Sequence, residues 1–302
     1  MPQAPSRAAH AASCRVAGAP YRIVRRDEHD EFRGNARTRE VLVGGVRVGG
    51  PRPAVIAGPC AVESFDQTLA IARACRDAGA DMLRGGAYKP RTSPYDFQGL
   101  GREGLEILAE VRRQTGLPIV TEALDPRHVE EVASFADCIQ IGARNMQNFC
   151  LLTELGKAGK PVLLKRHWGG TLKEWLAAAE YIAIEGNLDI LLCERGIRSF
   201  TAGSYNRSTL DLNIVDALRR ETFLPVIVDP SHGTGDDRLV PGAALAGIAS
   251  GAHGLIIEVI AEDTPTDAPL CDGYQSIRPS VLRKIIEDSH SWVGRSSRGR
   301  DR

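Results

Sequence analysis

The chain has 302 residues, enough for one large α/β barrel or two ordinary domains. Acidic and basic residues balance at 38 each, so no global field recruits nucleic acid or an anionic membrane. No apolar stretch is long enough to span a bilayer, no signal-peptide core follows the N-terminus, and the seven scattered cysteines form no Cys-x-x-Cys pair, which argues against a disulfide scaffold or zinc knuckle and for a reducing cytoplasm.

Residues 1–38 are read as a disordered tail, rich in Ala, Arg and Ser and without an acid before Asp27. EVLVGGVRVGG (40–50) has the pattern of a short hairpin. Apolar runs then alternate with helix-length amphipathic segments. The runs are PAVIAG (53–58), DMLRGG (81–86), PIVTEA (118–123), CIQIGA (138–143), PVLLKR (161–166), DILLCE (189–194), PVIVDP (225–230) and GLIIEV (254–259). Helices are predicted near 66–78, 101–115, 126–136, 147–158, 171–186, 211–221, 240–250 and 275–288. Several of them stop at Gly, as in CRDAGA and RRQTGLP, which suits a left-handed cap before the next strand. Eight strand–helix units predict a (β/α)₈ barrel over 39–290, with a short N-terminal hairpin extension and a basic tail at 291–302. A doubly wound sheet is the alternative, but no early Gly-x-Gly-x-x-Gly turn supports it.

In such a barrel the C-terminal strand ends line the site. Those positions hold Cys60, Arg84, Glu122, Arg144, Lys165, Glu194–Arg195, His232 and Glu258. Arg84, Lys89, Arg91, Arg144, Lys165 and Arg195 form a crowd of cations fitted to carboxylate and phosphate oxygens. One such Arg is readily explained by pairing with a nearby acid; six at strand ends are not. Cys60, His232 and Glu258, with Asp272 just past the last strand, make a four-donor set for zinc or a redox-mild divalent ion. No local ligand spacing singles these four out, so ordinary buried polar roles stay open for them. His128 and His253 fit structural positions. Only six basic residues are lysine, and Lys89 is one of them.

The stretches AGPCAVES, LRGGAYKPRTSPYDFQGLG, TEALD, QIGARNMQN, LLKR, LLCERGIRSF, VDPSH, GAHGLIIEV and DGYQS occur in that order between residues 53 and 288. Together they resemble the class I beta 3-deoxy-arabino-heptulosonate 7-phosphate (DAHP) synthases. KPRTSPYDFQG with ERGIR separates the chain from the related 3-deoxy-octulosonate 8-phosphate synthases. The resemblance implies a cytoplasmic transferase, a dimer or tetramer, that condenses phosphoenolpyruvate with erythrose 4-phosphate as the first step of the shikimate pathway. It implies one divalent metal ion (Mn, Fe, Zn or Co) on Cys60, His232, Glu258 and Asp272. Arg84, Lys89, Arg144, Lys165 and Arg195 would hold phosphoenolpyruvate, while Arg91 and Thr92 would take the aldose phosphate. Lys89 would supply a proton, and Glu122 would orient the attacking water. The roughly 50 residues before the barrel resemble relatives without a regulatory domain.

The chain departs from the family pattern in four loops. GTGDDRLV carries Asp236 and Asp237 where relatives have basic residues, His167 replaces a Gly after Lys165–Arg166, and EVIAEDTPTDAPLCDG and ERGIRSFTAGSYNRSTLDL are altered. These changes leave two other readings open: a paralogue using a different aldose phosphate, and a barrel that regulates another enzyme without catalysis. Cys271 adjoins Asp272 and is expected near Cys60.

Overall fold

VLVGGVRV folds back on itself, with β1 (Val41–Val43) and β2 (Val46–Val48) pairing antiparallel across Gly44 and Gly45. Both glycines have positive φ (52° and 94°), which a two-residue hairpin turn of this twist requires. The computed structural model describes residues 19–35, 37–201, 203 and 205–298.

Eight parallel strands follow: β3 (Ala54–Gly58), β4 (Met82–Arg84), β5 (Ile119–Glu122), β6 (Cys138–Ile141), β7 (Val162–Lys165), β8 (Ile190–Glu194), β9 (Val226–Val228) and β10 (Gly254–Glu258). They pair in chain order, and β10 closes on β3 through Gly254↔Ala54 to Glu258↔Gly58. This is the expected (β/α)₈ barrel. Its strands are buried on both faces, which is why they read as continuous apolar runs rather than alternating ones. One set of side chains, including Ile56, Met82, Val120, Leu163, Leu191 and Ile227, fills the interior, and the hairpin's Val41, Val43 and Val48 join this cluster. The alternate set, including Val55, Leu83, Ile139, Leu164 and Val228, packs under the helices.

The helices are α1 (Phe65–Ala78), α2 (Arg102–Thr115), α3 (Val129–Phe135), α4 (Phe149–Lys157), α5 (Leu172–Ala183), α6 (Leu212–Glu221), the short α7 (Pro230–Thr234), α8 (Val240–Ala249) and α9 (Pro279–Arg298). Local chemistry sets their ends. Ser64 accepts the Gln67 N–H at the start of α1, Thr171 and Glu174 form a capping box on α5, and Gly79 ends α1 in the left-handed conformation.

Two boundaries differ from expectation. Residues 1–18 of the anticipated tail lie outside the described residues, but from residue 19 the chain packs on the barrel. Tyr21, Val24 and Phe32 are buried, Phe32 stacks on Phe223 at 4.6 Å, and the buried Arg26 guanidinium donates to four carbonyls, those of Phe32, Asn35, Arg37 and Thr222. The last helix begins at Pro279 rather than 275, after a 3-10 turn at Gly273–Gln275, and continues to Arg298. Most of the expected basic tail is therefore helical, and residues 299–302 lie outside the described residues. No described helix is long and apolar enough to cross a membrane.

Candidate active site

Arg84, Glu122, Lys165 and Glu258 are the last residues of β4, β5, β7 and β10, so the closed sheet fixes all four at one rim. Arg144 follows β6 in the 3-10 turn Ala143–Asn145, and His232 follows β9 in α7. All of these but Glu258 line a cavity of about 370 Å³, together with Lys89, Arg91, Thr92, Arg195 and Asp272, and Glu258 stands behind the lining. Cys60 also lies behind the lining, with Lys89 Nζ 3.1 Å from its sulfur and 3.1 Å from its carbonyl oxygen.

The expected metal donors fall into two groups that share Asp272. Cys60, Cys271 and Asp272 form one group, and His232, Glu258 and Asp272 form another; within each the donor atoms lie within 4.8 Å of one another. Asp272 belongs to both and has φ 49°, an uncommon conformation for a non-glycine residue, held where its carboxylate reaches both groups. Sulfur, imidazole and carboxylate donors gathered on the two sides of Asp272 are the donor types that a borderline-soft divalent ion takes.

Buried charges surround this cluster, and their partners are specific. Glu258 accepts from Arg84 Nη1 at 2.6 Å and from Gln275 Nε2 at 2.6 Å, and its carboxylate lies 3.5 Å from His232 Nε2. Burial alone would raise the Glu258 pKa, but His232, Arg84 and Lys89 hold it well below the usual carboxylate range. Asp229 accepts from Lys165 Nζ at 2.6 Å and lies 2.8 Å from His232 Nδ1; burial opposes its charge, but the His232 ring and the Lys165 ammonium hold its carboxyl low. Burial lowers His232 despite the neighbouring Asp229 and Glu258, which keeps its imidazole available as a donor. Burial also opposes the charge on Lys89, yet the Cys60 and Cys271 sulfurs raise its pKa above the usual lysine range. It stays an ammonium.

Pairing explains part of the cation crowd. Arg84 is bound to Glu258, Lys165 to Asp229, and Arg91 lies 3.4 Å from Asp96. Arg144 and Arg195 have no carboxylate within ion-pair distance among the described residues, and Arg195 is buried. Burial lowers its pKa. Positive charge facing a cavity without a matching acid is what an anionic ligand needs. Glu122 lines the cavity and accepts from Gln140 Nε2 at 2.9 Å through one oxygen, while its Oε1 is buried without a hydrogen-bond partner.

Several lining residues escaped the sequence reading: Gln140, Trp168, Arg198, Arg207 and Ser208. Arg207 donates to Gln275 Oε1 at 2.9 Å and lies 3.4 Å from Asp272. Arg198 ends ERGIR, the same motif that supplied Arg195, so the signal for it was present. Glu194, expected among the strand-end residues, turns from the cavity to bind Arg166 at 3.0 Å and the Gly196 N–H at 2.7 Å. Asp236 pairs with Arg238, and neither Asp236 nor Asp237 lines the cavity. His128 stacks on Tyr88, and His253 bonds Thr38 and Val226 at the strand entries.

Comparison with known proteins agrees with this architecture. Residues 29–293 match the model of the DAHP synthetase I family. A phospho-2-dehydro-3-deoxyheptonate aldolase of Thermotoga maritima is 46% identical over 269 residues, 89% of this chain and 76% of the relative. A 2-dehydro-3-deoxyphosphooctonate aldolase of Syntrophotalea carbinolica is 36% identical over 267 residues, 82% of this chain and 93% of the relative. The crystal structure of the Thermotoga maritima phospho-2-dehydro-3-deoxyheptonate aldolase superposes with a TM-score of 0.85 at 44% identity, covering 92% of this chain and 78% of that one. A truncated form of the Thermotoga maritima synthase gives 0.81 at 40% identity and covers 91% and 97%. The chain belongs to the DAHP synthetase I family and is an enzyme of that barrel class.

Proposed function

We propose that this chain condenses phosphoenolpyruvate with erythrose 4-phosphate to give 3-deoxy-arabino-heptulosonate 7-phosphate and inorganic phosphate. The observation that carries this reading is the pairing of two features in one cavity: a wall of cations in excess of its acids, and a mixed sulfur, nitrogen and oxygen donor cluster beside it. Two polyanions sharing a small space would repel each other without such a wall.

In this reading Arg144, Lys165 and Arg195 seat the phosphate of phosphoenolpyruvate, with Arg84 and Lys89 on its carboxylate side. Arg91 and Thr92 take the phosphate of the aldose and thereby aim its aldehyde at the donor cluster. Cys60, His232, Glu258 and Asp272 would hold one divalent ion (Mn, Fe, Zn or Co), which when bound polarises a carbonyl as a Lewis acid. As C3 of phosphoenolpyruvate bonds to C1 of the aldose, Lys89 gives its proton to the aldehyde oxygen, which leaves the product hydroxyl. Its position against Cys60 supports that role, since the ammonium is fixed at the edge of the donor cluster. Glu122, through its unpartnered Oε1, orients the water whose oxygen adds at C2 and takes up its proton. The resulting tetrahedral centre expels phosphate toward the cations that held it.

His167 favours a second reading, a different aldose phosphate as acceptor, because it departs from the family pattern next to Trp168, which lines the cavity. One experiment separates the two. Metal-loaded protein is given phosphoenolpyruvate and, in turn, erythrose 4-phosphate and a five-carbon aldose phosphate, and phosphate release is followed. Release with the four-carbon acceptor supports the proposal, release only with another supports the second reading, and no acceptor-dependent release overturns both.

A further inference from the structure

The guanidinium carbons of Arg144 and Arg198 lie 5.8 and 5.6 Å from the centre of the Trp168 indole. The three residues follow β6, β8 and β7, three neighbouring strands, while the donor cluster follows β9, β10 and β3 across the ring. Lys165 and Arg195 belong to the same wall as the tryptophan, and burial fixes both, with Lys165 also tied to Asp229. Arg144 and Arg198 have no such anchor. Both are exposed, and neither has a carboxylate within ion-pair distance among the described residues. Apart from the indole, the side-chain contact of Arg144 is a long 3.5 Å approach to Thr92 Oγ1.

The loop that carries the indole is itself braced. Arg166 Nε donates to the Gly170 carbonyl at 2.8 Å, and its Nη1 donates to Glu194 and Asp211 at 3.0 and 2.9 Å. The Gly169 N–H donates to His167 Nδ1 at 3.0 Å, and the His167 ring packs on the indole at 4.4 Å. The Trp168 carbonyl accepts the Arg198 N–H at 2.9 Å, which ties the two loops together. An exposed Arg explores many rotamers, and a fixed aromatic face restricts them by attraction to the cation.

We infer that Trp168 is a positioning residue that seats Arg144 and Arg198 as the outer pair of a four-cation phosphate site, whose inner pair is Lys165 and Arg195. The ligand class is a phosphate monoester on an enol and the inorganic phosphate it releases. This rests on the proposed condensation for the substrate, but not for the phosphate site itself.

The test uses the full chain and two probes, inorganic phosphate by calorimetry and phosphoenolpyruvate by steady-state kinetics. Trp168→Ala is expected to weaken phosphate binding and raise KM for phosphoenolpyruvate by about five- to thirtyfold, the worth of two exposed cation–π contacts. KM for the aldose phosphate and kcat should move by less than about twofold, a split that a general structural defect does not produce. Trp168→Phe keeps a ring face and should recover most of the loss. Arg198→Gln should reproduce part of it, and combined with Trp168→Ala should add less than its separate effect, because the two act through one contact. If Trp168→Ala fails to fold, the Phe and Arg198 variants decide. Unchanged phosphate affinity, equal loss toward both substrates, or Ala and Phe variants that behave alike would overturn the inference. A wild-type chain that binds phosphate through Trp168 but turns over no phosphoenolpyruvate supports the seat and overturns the proposed reaction.

Discussion

The sulfur atoms of Cys60 and Cys271 lie 3.0 Å apart, although 211 positions separate the two residues in the chain. Cations flank the pair: Lys89 Nζ is 3.1 Å from Cys60 Sγ, and Arg91 Nη1 is 2.8 Å from Cys271 Sγ. The hydrogen bond from Cys60 lowers the Cys271 pKa, with Lys89 helping and burial opposing. A thiolate beside a thiol is the arrangement that oxidises readily. We therefore expect chelator-treated protein in air to form a Cys60–Cys271 disulfide, the two thiols giving up two electrons and two protons to oxygen. Activity should fall as titratable thiols fall by two, and a dithiol reductant should restore both. Cys271→Ser should resist this inactivation. Peptide mapping that finds both cysteines free in the inactivated protein rules the mechanism out.

Lys89 tests the proton-transfer step. Its ammonium is buried and held by the carbonyl and sulfur of Cys60, so it approaches the donor cluster without belonging to it. Lys89→Ala should lower kcat by about 10² to 10⁴, the usual worth of a positioned acid, while metal affinity changes by less than tenfold. Lys89→Arg should not restore the rate, because a guanidinium keeps its proton. Metal affinity falling in step with kcat would assign Lys89 to the donor cluster instead.

The barrel was legible because its strands carry their own punctuation. PVLLKR is apolar until Lys165, and GLIIEV until Glu258, so each run announces both a buried strand and the residue at its active end. Convergence of Cys60, His232, Glu258 and Asp272 then follows from closure of the ring. The N-terminal packing was not legible. Arg26 and Phe32 look like parts of a polar tail until Thr222 and Phe223, almost two hundred residues away, supply their partners. The final helix was shortened for a similar reason, since Ser289, Ser291 and Gly294 weaken its pattern locally. Trp168 and Arg207 lie in irregular loops with no periodicity to read, so only the folded cavity reveals them, whereas Arg198 was signalled by the ERGIR motif it ends.

Asp229 shows how far the site depends on a residue that touches no substrate. It binds Lys165 Nζ, accepts the His232 backbone N–H at 2.9 Å and places its other oxygen 2.8 Å from the His232 ring Nδ1, so it supports the histidine while neutralising a buried lysine. Asp229→Asn preserves size and removes the charge. Leaving Lys165 buried and unpaired should cost about 3–5 kcal/mol of folding stability. Loss of the His232 support should weaken metal affinity about 10- to 100-fold. Urea unfolding and ion titration measure the two effects separately. A variant of wild-type stability and metal affinity would show that Lys165 and His232 find other partners.

His253 sets a pH dependence at the opposite end of the barrel. Its Nδ1 accepts the Val226 N–H at 3.1 Å and its Nε2 meets Thr38 Oγ1 at 3.1 Å, an arrangement that requires a neutral ring. Burial first, and then the charge of Arg219, lower its pKa to about 4. In the unfolded chain the ring titrates near its ordinary value of about 6.5. Between those values the unfolded state binds a proton that the folded state refuses, so stability falls as pH drops through the window. It is fully present above pH ~6.5 and levels off below ~4, a loss of roughly 2–3 kcal/mol. His253→Gln keeps an acceptor for Val226 but cannot titrate, so the difference in unfolding free energy between it and the wild type should shift by that amount from pH 7 to pH 4. Parallel stability curves for the two proteins across this range would mean that His253 takes up its proton equally well in both states.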